Sequence, residues 1–256
     1  MHSGKSYVCI TRPRRFGKTV IANMISAFFE KGRDSRELFQ DLKIGKEAVS
    51  HQYINHYNVI YMVLNEMPDE CSTFSQYLKR IKTILLQDLK KAFPECEVYA
   101  NAPVWDVLNS IYEMEDVSFI FVMDEWDFIF HREFVTEGDK QEYIQFLNSL
   151  LKDQPYVRLV YMTGILPIAK YSSGSELNMF LEYTMTSEVR YNEYFGFTED
   201  EVDDLYRRYL EIEKVPRVSR EGLRQWYDGY DTKAGIRLYN PRSVVVALGN
   251  NNLGSY

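Results

Sequence analysis

The chain has 256 residues, of which 45% are hydrophobic, and its 30 Lys and Arg against 37 Asp and Glu give a formal net charge of −7. This globular composition excludes a disordered, collagen-like or low-complexity chain, and the acidic balance argues against nonspecific nucleic-acid binding by the whole surface. The 3 cysteines lack the spacing of a disulfide framework or a zinc site, which indicates a reducing compartment. With no apolar leader and no bilayer-length apolar run, we expect a soluble cytoplasmic protein without membrane contact.

Strands and helices alternate along most of the chain, as the spacing of apolar residues shows. Almost every residue of Val117–Met123 is apolar, which is typical of a strand covered on both faces. The predicted elements are a strand at Tyr7–Thr11, a helix at Lys18–Lys31, a strand at Asn58–Asn65, a helix from Phe74 to Phe93, a helix at Val104–Met114, a strand at Val117–Met123, a helix at Lys140–Lys152 and a strand at Val157–Thr163. This alternation predicts an α/β fold with a mostly parallel sheet flanked by helices.

The pattern changes after about Phe195. Three helical segments follow without clear strands between them, at Glu199–Glu213, Arg220–Tyr227 and Pro241–Leu248. We therefore predict two domains, an α/β core over residues 1–192 and a small helical lid over residues 193–256.

The segment Arg12–Thr19 lies between the first predicted strand and the first predicted helix. It ends in Gly17-Lys18-Thr19, which matches the second half of a phosphate-binding loop. Gly17 lets the main chain approach a phosphate, and the N–H groups at the start of the helix point at the anion. Lys18 is predicted to contact the β- and γ-phosphates and to act in catalysis, while the hydroxyl of Thr19 is a predicted Mg²⁺ ligand.

One part of this loop departs from the usual pattern. The first glycine belongs five residues before Gly17, where this chain has Arg12, and Pro13 removes a main-chain donor. The cradle must therefore differ from the usual one, with Arg14 or Arg15 as candidate contacts. The predicted cofactor-binding residues of the loop are Arg12, Pro13, Arg14, Arg15, Phe16, Gly17, Lys18 and Thr19. A second Gly-Lys-Ser, at residues 4–6, has no strand before it and is interpreted as a terminal loop.

A second motif follows the buried strand at Val117–Met123. Its two acids, Asp124 and Glu125, have the arrangement of a Walker B motif. Asp124 is a predicted Mg²⁺ ligand, and Glu125 is predicted to polarise the attacking water as the catalytic base. Two acids at a solvated turn are the alternative, but two motifs in the right order make coincidence less plausible. Asp127 has two open interpretations, support of the metal site or helix capping.

Two further polar residues are candidates for nucleotide contact. Thr163 ends the last predicted strand and could sense the γ-phosphate, with a plain Gly turn as the equal alternative. Arg190 could reach a phosphate, with a surface ion pair as the commoner role. The tyrosines Tyr227, Tyr230 and Tyr239 are interpreted as packing of the lid rather than as a platform for base stacking. A set of basic residues is interpreted as a solvated helix face rather than as a nucleic-acid contact: Lys79, Arg80, Lys82, Lys90 and Lys91.

With these residues in view, the sequence resembles the predicted AAA-ATPase-like family, related to the AAA+ and STAND P-loop NTPases. The matching stretches are Ile10–Thr19, Met123–Asp127, Met162–Gly164, Tyr194–Val202, Tyr227–Tyr230 and Leu238–Val244. The resemblance implies a RecA-like ATPase core followed by a helical lid, and it implies that arginine at position 12 is a family trait. It also implies a further N-terminal segment and often a nuclease-like domain beyond Tyr256, so we expect the sequence to be a fragment or a truncated product.

The leading hypothesis is therefore an Mg²⁺-dependent ATPase whose hydrolysis drives a conformational change, with ATP and Mg²⁺ as cofactors. A nucleotide-binding switch or scaffold with little turnover is the second hypothesis, with a protein partner or a second copy of the chain. A DNA-associated module is the third, although the net charge of −7 does not support it.

Overall fold

A computed structural model describes residues 7–68, 71–96, 102–171 and 176–256. The predicted terminal loop at residues 4–6 lies outside the described residues. The chain divides into two compact units. The first unit comprises the N-terminal residues up to Cys9 together with Ile21–Glu182, and the second comprises Ile10–Val20 together with Tyr183–Tyr256. The predicted domain boundary after residue 192 stays a prediction.

The regular elements follow the predicted alternation closely. The strands are β1 (Tyr7–Thr11), β2 (Asn58–Val63), β3 (Phe119–Asp124), β4 (Val157–Gly164), β5 (Leu181–Tyr183), β6 (Asp228–Asp231) and β7 (Arg237–Tyr239). The α-helices are α1 (Lys18–Phe29), α2 (Arg36–Phe39), α3 (Lys43–Lys46), α4 (Phe74–Ala92), α5 (Val104–Glu115), α6 (Glu137–Leu151), α7 (Glu199–Ile212), α8 (Arg220–Tyr227) and α9 (Pro241–Gly249). The short α2, α3 and β5 were not predicted, because they are too brief for a hydrophobic period to show.

Five strands form one sheet in the order β2-β3-β4-β1-β5, and helices flank it. Strand β3 pairs in parallel with both β2 and β4, with Val63 opposite Asp124 and Met123 opposite Met162. Every residue of β3 is buried, as its continuous apolar run predicts. The predicted α/β class is confirmed. Parallel pairing also brings the carboxyl ends of β2, β3 and β4 to one edge of the sheet, where ligands of such folds bind.

The apolar faces of α4, α5 and α6 form the core of the first unit together with β3 and β4. Capping residues fix where two of these helices begin: Thr73 and Thr136 each accept a hydrogen bond from the amide three residues on, and the side chain at that position bonds back. This core packs on β3 and β4, which carry Asp124 and Thr163 near their carboxyl ends.

The second unit contains the predicted helical segments as α7, α8 and α9, together with two strands that the sequence did not predict. The strands β6 and β7 form an antiparallel hairpin between α8 and α9, with a turn at Gly235 in the left-handed region. Asp228-Gly229-Tyr230-Asp231 lacks the alternation of a half-buried strand, which is why its sequence gives no strand signal. Buried residues of α7, α8, α9, β7 and the segment before α8 share one core: Val202, Tyr209, Val218, Leu223, Tyr227, Tyr239, Val244 and Ala247.

Within the described parts of the chain, no helix has both the length and the apolar character needed to cross a bilayer.

Candidate functional site

The predicted site residues divide between the two units. The loop Arg12–Thr19 and Arg190 belong to the second unit, whereas Asp124, Glu125 and Thr163 belong to the first. The contacts of each group are described separately below.

The loop turns sharply at two positions. Arg15 and Gly17 have left-handed φ values of 70° and 82°, while Arg12 does not lie in this region. Glycine reaches this region without strain, but an arginine there costs about 1–2 kcal/mol. The main chain therefore needs conformational freedom at positions 15 and 17, and position 12 tolerates a side chain.

The side chain of Arg12 lies inside the protein, with 1% of its surface exposed. Its Nη1 donates to the carbonyl oxygens of Thr11 (2.8 Å) and Tyr183 (2.7 Å), and its Nη2 donates to the carbonyl oxygen of Tyr191 and to Oδ1 of Asn192, both at 3.2 Å. The guanidinium also lies over the ring of Phe195, 4.9 Å from its centroid. The structure thus places this predicted phosphate ligand among oxygens of the chain itself.

Lys18 begins α1 and is 5% exposed. Its Nζ donates to the carbonyl oxygens of Arg12 (3.1 Å) and Pro13 (2.9 Å), so the loop closes around its own lysine. Phosphate oxygens are stronger acceptors than carbonyl oxygens for a charged amine, and they could replace these two partners. Thr19, in the first turn of α1, is exposed and can meet a ligand from solvent.

The remaining loop residues are anchored or exposed. The ring of Phe16 is buried and packs edge-on against Tyr230, with the two centroids 4.6 Å apart. Nδ2 of Asn240 donates to the carbonyl oxygen of Arg14 at 3.3 Å. The side chains of Arg14 and Arg15 are exposed and Pro13 is half-buried, so both arginines remain accessible to an anion.

At the other group, Asp124 ends β3 and is buried beside Thr163 of β4. The hydroxyl of Thr163 donates to Oδ1 of Asp124 in a short hydrogen bond, and the amide of Glu125 donates to the same hydroxyl oxygen at 3.4 Å. Thr163 therefore fixes both acids at the strand end. Glu125 has a left-handed φ of 55°, a strained conformation of the kind that accumulates at functional sites.

Glu125 has a partner that the sequence did not single out. Nδ2 of Asn65, just after β2, donates to Oε2 of Glu125 at 2.8 Å. Tyr61 of β2 also lies near this group: burial raises its pKa to about 12, and the Asp124 carboxylate adds to the shift. The signal in the sequence that could have found Asn65 is its place directly after an apolar strand.

Asp127 has contacts that its place in the sequence does not reveal. It stands at the N-cap position, just before the 3-10 helix Phe128–His131, yet its side chain makes no capping bond there. Instead Oδ2 accepts from the amides of Ile165 (3.0 Å) and Leu166 (2.9 Å). Asp127 thus shapes the loop after β4 and does not cap the 3-10 helix that follows it, while its support of a metal site stays a prediction.

Position 164 has no room for a side chain, which accounts for the glycine after Thr163. A Cβ at this position would lie 2.5 Å from Nε1 of the fully buried Trp126 and 2.9 Å from Oδ1 of Asp127. The end of β4 therefore packs so closely on Trp126 and Asp127 that only glycine fits at the position after Thr163.

The other predicted residues differ in their exposure and packing. Arg190 is exposed, and its phosphate contact stays a prediction. Tyr227 and Tyr239 are buried and Tyr230 packs on Phe16, in agreement with packing rather than base stacking. Lys79, Lys90 and Lys91 are exposed on α4, whereas Arg80 and Lys82 are half-buried and Lys82 lies over the ring of Phe146.

Asp124 is the predicted Mg²⁺ ligand of the first unit. Among the described residues no three His, Cys, Asp or Glu side chains gather into a metal-binding cluster. Mg²⁺ is commonly held by one or two carboxylates together with substrate phosphates and water, and the Asp124 carboxylate is chemically suited to the protein's part of such a site.

Comparisons with known proteins agree with this architecture. The sequence profile described as predicted AAA-ATPase matches residues 1–173, more than half of the chain. The chain therefore belongs to the predicted AAA-ATPase family, an ATPase-type class of nucleotide-binding domain. The stretches at Tyr194–Val202, Tyr227–Tyr230 and Leu238–Val244 lie beyond the matched residues, and their resemblance stays a prediction.

One similar solved structure is the ORC2 protein of Aeropyrum pernix in its ADPNP–ADP complexes. It shares 13% sequence identity with this chain at a TM-score of 0.42, over 99% of this chain and 61% of that one. The chain thus spans less than two thirds of that protein's length. A search of curated protein sequences finds no match.

Proposed function

We propose that the chain binds Mg²⁺-ATP and hydrolyses it, and that hydrolysis changes its conformation. The observation that carries the proposal is the position of Lys18: a buried amine at the first turn of α1, within a loop whose own carbonyl oxygens accept its hydrogen bonds. In this proposal the β- and γ-phosphate oxygens take the place of those carbonyls. The amides at the start of α1 complete the anion site.

The other predicted site residues have separate roles in the proposal. Thr19 and Asp124 would hold Mg²⁺, which neutralises charge that develops on the phosphoryl oxygens. Glu125 would orient the attacking water, and Thr163 would sense the γ-phosphate. One or more of Arg14, Arg15 and Arg190 would contact phosphate oxygens. The assignment of both groups to the same nucleotide rests on the order of the motifs along the chain.

A binding experiment tests the first step. We expect wild type to bind ATP saturably and Lys18→Ala to bind it about tenfold or more weakly, since charge-assisted hydrogen bonds are lost. Lys214→Ala is the matched control, because this lysine is exposed in the same unit and outside the loop. Asp124→Asn should lower the enhancement of ATP binding by Mg²⁺ and leave metal-free binding nearly unchanged. No saturable binding of ATP or GTP by wild type would contradict the proposal.

A nucleotide-binding switch with little turnover is the second candidate. The bond between Asn65 and the Glu125 carboxylate favours it, because a base held by an amide is less available to activate water. Tight ATP binding by wild type with no ADP formed over hours would select this candidate. Salt-dependent retention on DNA, lost when the α4 lysines are neutralised, would instead support the DNA-associated module.

A further inference from the structure

We propose that Arg12 is a positioning residue that ties the nucleotide loop to the segment 183–195, so that the state of this segment controls ATP binding. The inference deepens the proposed function, on which it rests, by naming how that loop is regulated. It differs from the sequence-based expectation, in which Arg12 contacts phosphate itself.

The first step is the set of acceptors around Arg12. Three of the hydrogen bonds described above end on the segment 183–195: at the carbonyl oxygens of Tyr183 and Tyr191 and at the side chain of Asn192. Phe195 supplies the ring under the guanidinium. A planar fork with fixed donors suits such a divergent set of oxygens, and an ammonium group cannot reproduce it.

The second step is that Asn192 is itself held in place. It is 1% exposed, and its Nδ2 donates to the carbonyl oxygens of Glu188 (2.9 Å) and Met185 (3.4 Å). Its Oδ1 is thereby aimed at Arg12. The segment 183–195 therefore forms a binding site for the side chain of Arg12.

The third step connects Arg12 to the phosphate-binding lysine. The carbonyl oxygen of Arg12 accepts from Nζ of Lys18, so the main chain at position 12 sets where that amine lies. Because φ at position 12 is not left-handed, no glycine is needed there, and the position is free to carry an anchoring side chain.

Two further anchors join the same loop to the C-terminal part of the second unit. Phe16 lies in a buried cluster with Met185 and Leu238, and Asn240 donates to the carbonyl oxygen of Arg14. The loop is thus held at positions 12, 14 and 16. Linkage then requires that any ligand that reshapes the loop also shifts segment 183–195, and the reverse.

Two variants test the role of Arg12, with ATP affinity as one readout and hydrogen exchange of the free protein as the other. We expect Arg12→Lys to weaken ATP binding about tenfold and Asn192→Ala to weaken it severalfold, because each removes charge-assisted bonds of the tie. Both should speed amide exchange over 183–195 relative to α4, which serves as an internal reference. Arg208→Lys is the matched control, since Arg208 is exposed on α7.

Lys18→Ala separates positioning from direct contact. It should weaken ATP binding without changing exchange over 183–195 in the free protein. If Arg12 were a phosphate ligand, Arg12→Lys would keep most of the affinity, Asn192→Ala would leave it unchanged, and exchange would not move; that result overturns the proposal.

Failure of the proposed function is distinguishable from failure of this inference. If wild type binds no nucleotide, the proposed function falls, while the exchange comparison in the free protein still decides whether Arg12 holds the segment. If Arg12→Lys does not fold, Asn192→Ala decides between the two outcomes, because it leaves the arginine in place. Unchanged exchange over 183–195 in Asn192→Ala then contradicts the tie.

Discussion

The loop at Arg12–Thr19 and the acidic end of β3 are organised in opposite ways. In the loop, the charged groups of Arg12 and Lys18 donate mostly to main-chain oxygens. At the end of β3, the carboxylates of Asp124 and Glu125 accept from the side chains of Thr163 and Asn65. In the proposed function the loop exchanges carbonyl partners for phosphate oxygens, whereas the two acids already have side-chain partners from the neighbouring strands. Changes in the loop should therefore alter affinity, and changes at the acids should alter turnover and local stability.

The largest expected effect tests how rigid the acidic end is. Gly164→Ala places a methyl group 2.5 Å from Trp126 Nε1, inside a packed core that cannot yield. We expect the free energy of unfolding to fall by about 3 kcal/mol, the upper end of the usual cost of overpacking. Urea denaturation measures it. Gly138→Ala is the control, since its methyl would meet only Thr136 Oγ1 at 3.7 Å; equal stability of the two variants would show that the strand end is soft.

The next effect concerns the bond that aligns Asp124. Thr163→Val removes the hydroxyl and leaves the volume, so the buried carboxylate loses a charge-assisted hydrogen bond. We expect a loss of about 2 kcal/mol in the free energy of unfolding, together with weaker Mg²⁺ dependence of ATP binding. Thr163→Ser keeps the hydroxyl and should restore most of both. A Thr163→Val protein that matches wild type in both measurements would remove Thr163 from the alignment of Asp124.

The loop offers a pair of opposite backbone changes. Gly17→Ala forces a left-handed alanine and should cost about 1–2 kcal/mol of stability, with weaker ATP binding. Arg15→Gly relieves the same strain, but it adds about 0.5–1 kcal/mol of backbone entropy to the unfolded state, so stability should stay near that of wild type. Thermal unfolding of the two variants compares them; a loss at position 15 as large as at position 17 would mean that the Arg15 side chain, not its backbone, holds the loop.

The smallest effect belongs to Asn65. Its hydrogen bond to Glu125 is solvent-exposed, so Asn65→Ala should change the free energy of unfolding by about 0.5 kcal/mol or less. Urea denaturation beside Thr163→Val gives the comparison. A loss as large as that of Thr163→Val would show that the exposed and buried partners of the two acids are equivalent, which contradicts the contrast drawn between them.

The sequence predicts the frame of the fold well, because buried strands and amphipathic helices leave a strong period. Strand β3 and the acids at its end follow directly from one apolar run, and α8 has the bounds that its pattern predicts. The hairpin of β6 and β7 was not predicted, because Asp228–Asp231 is short and polar and its pairing depends on Arg237–Tyr239.

The candidate site was predictable by residue type but not by partner. Lys18 and Glu125 stand in motifs whose spacing is visible, whereas the partners of Arg12 on segment 183–195 are 171 to 180 residues away in the chain. A sequence contains no direct record of such distant contacts. The same holds for Asp127, whose role depends on amides that the turn after β4 directs toward it.

Single-turnover hydrolysis of ATP, with enzyme in excess and Mg²⁺ present, tests the central proposal most directly. We expect wild type to convert bound ATP to ADP and Glu125→Gln to do so about 100-fold or more slowly, with ATP affinity within about twofold of wild type. Equal rates for the two proteins, or a parallel loss of affinity in Glu125→Gln, would contradict the assignment of Glu125 as the group that activates water.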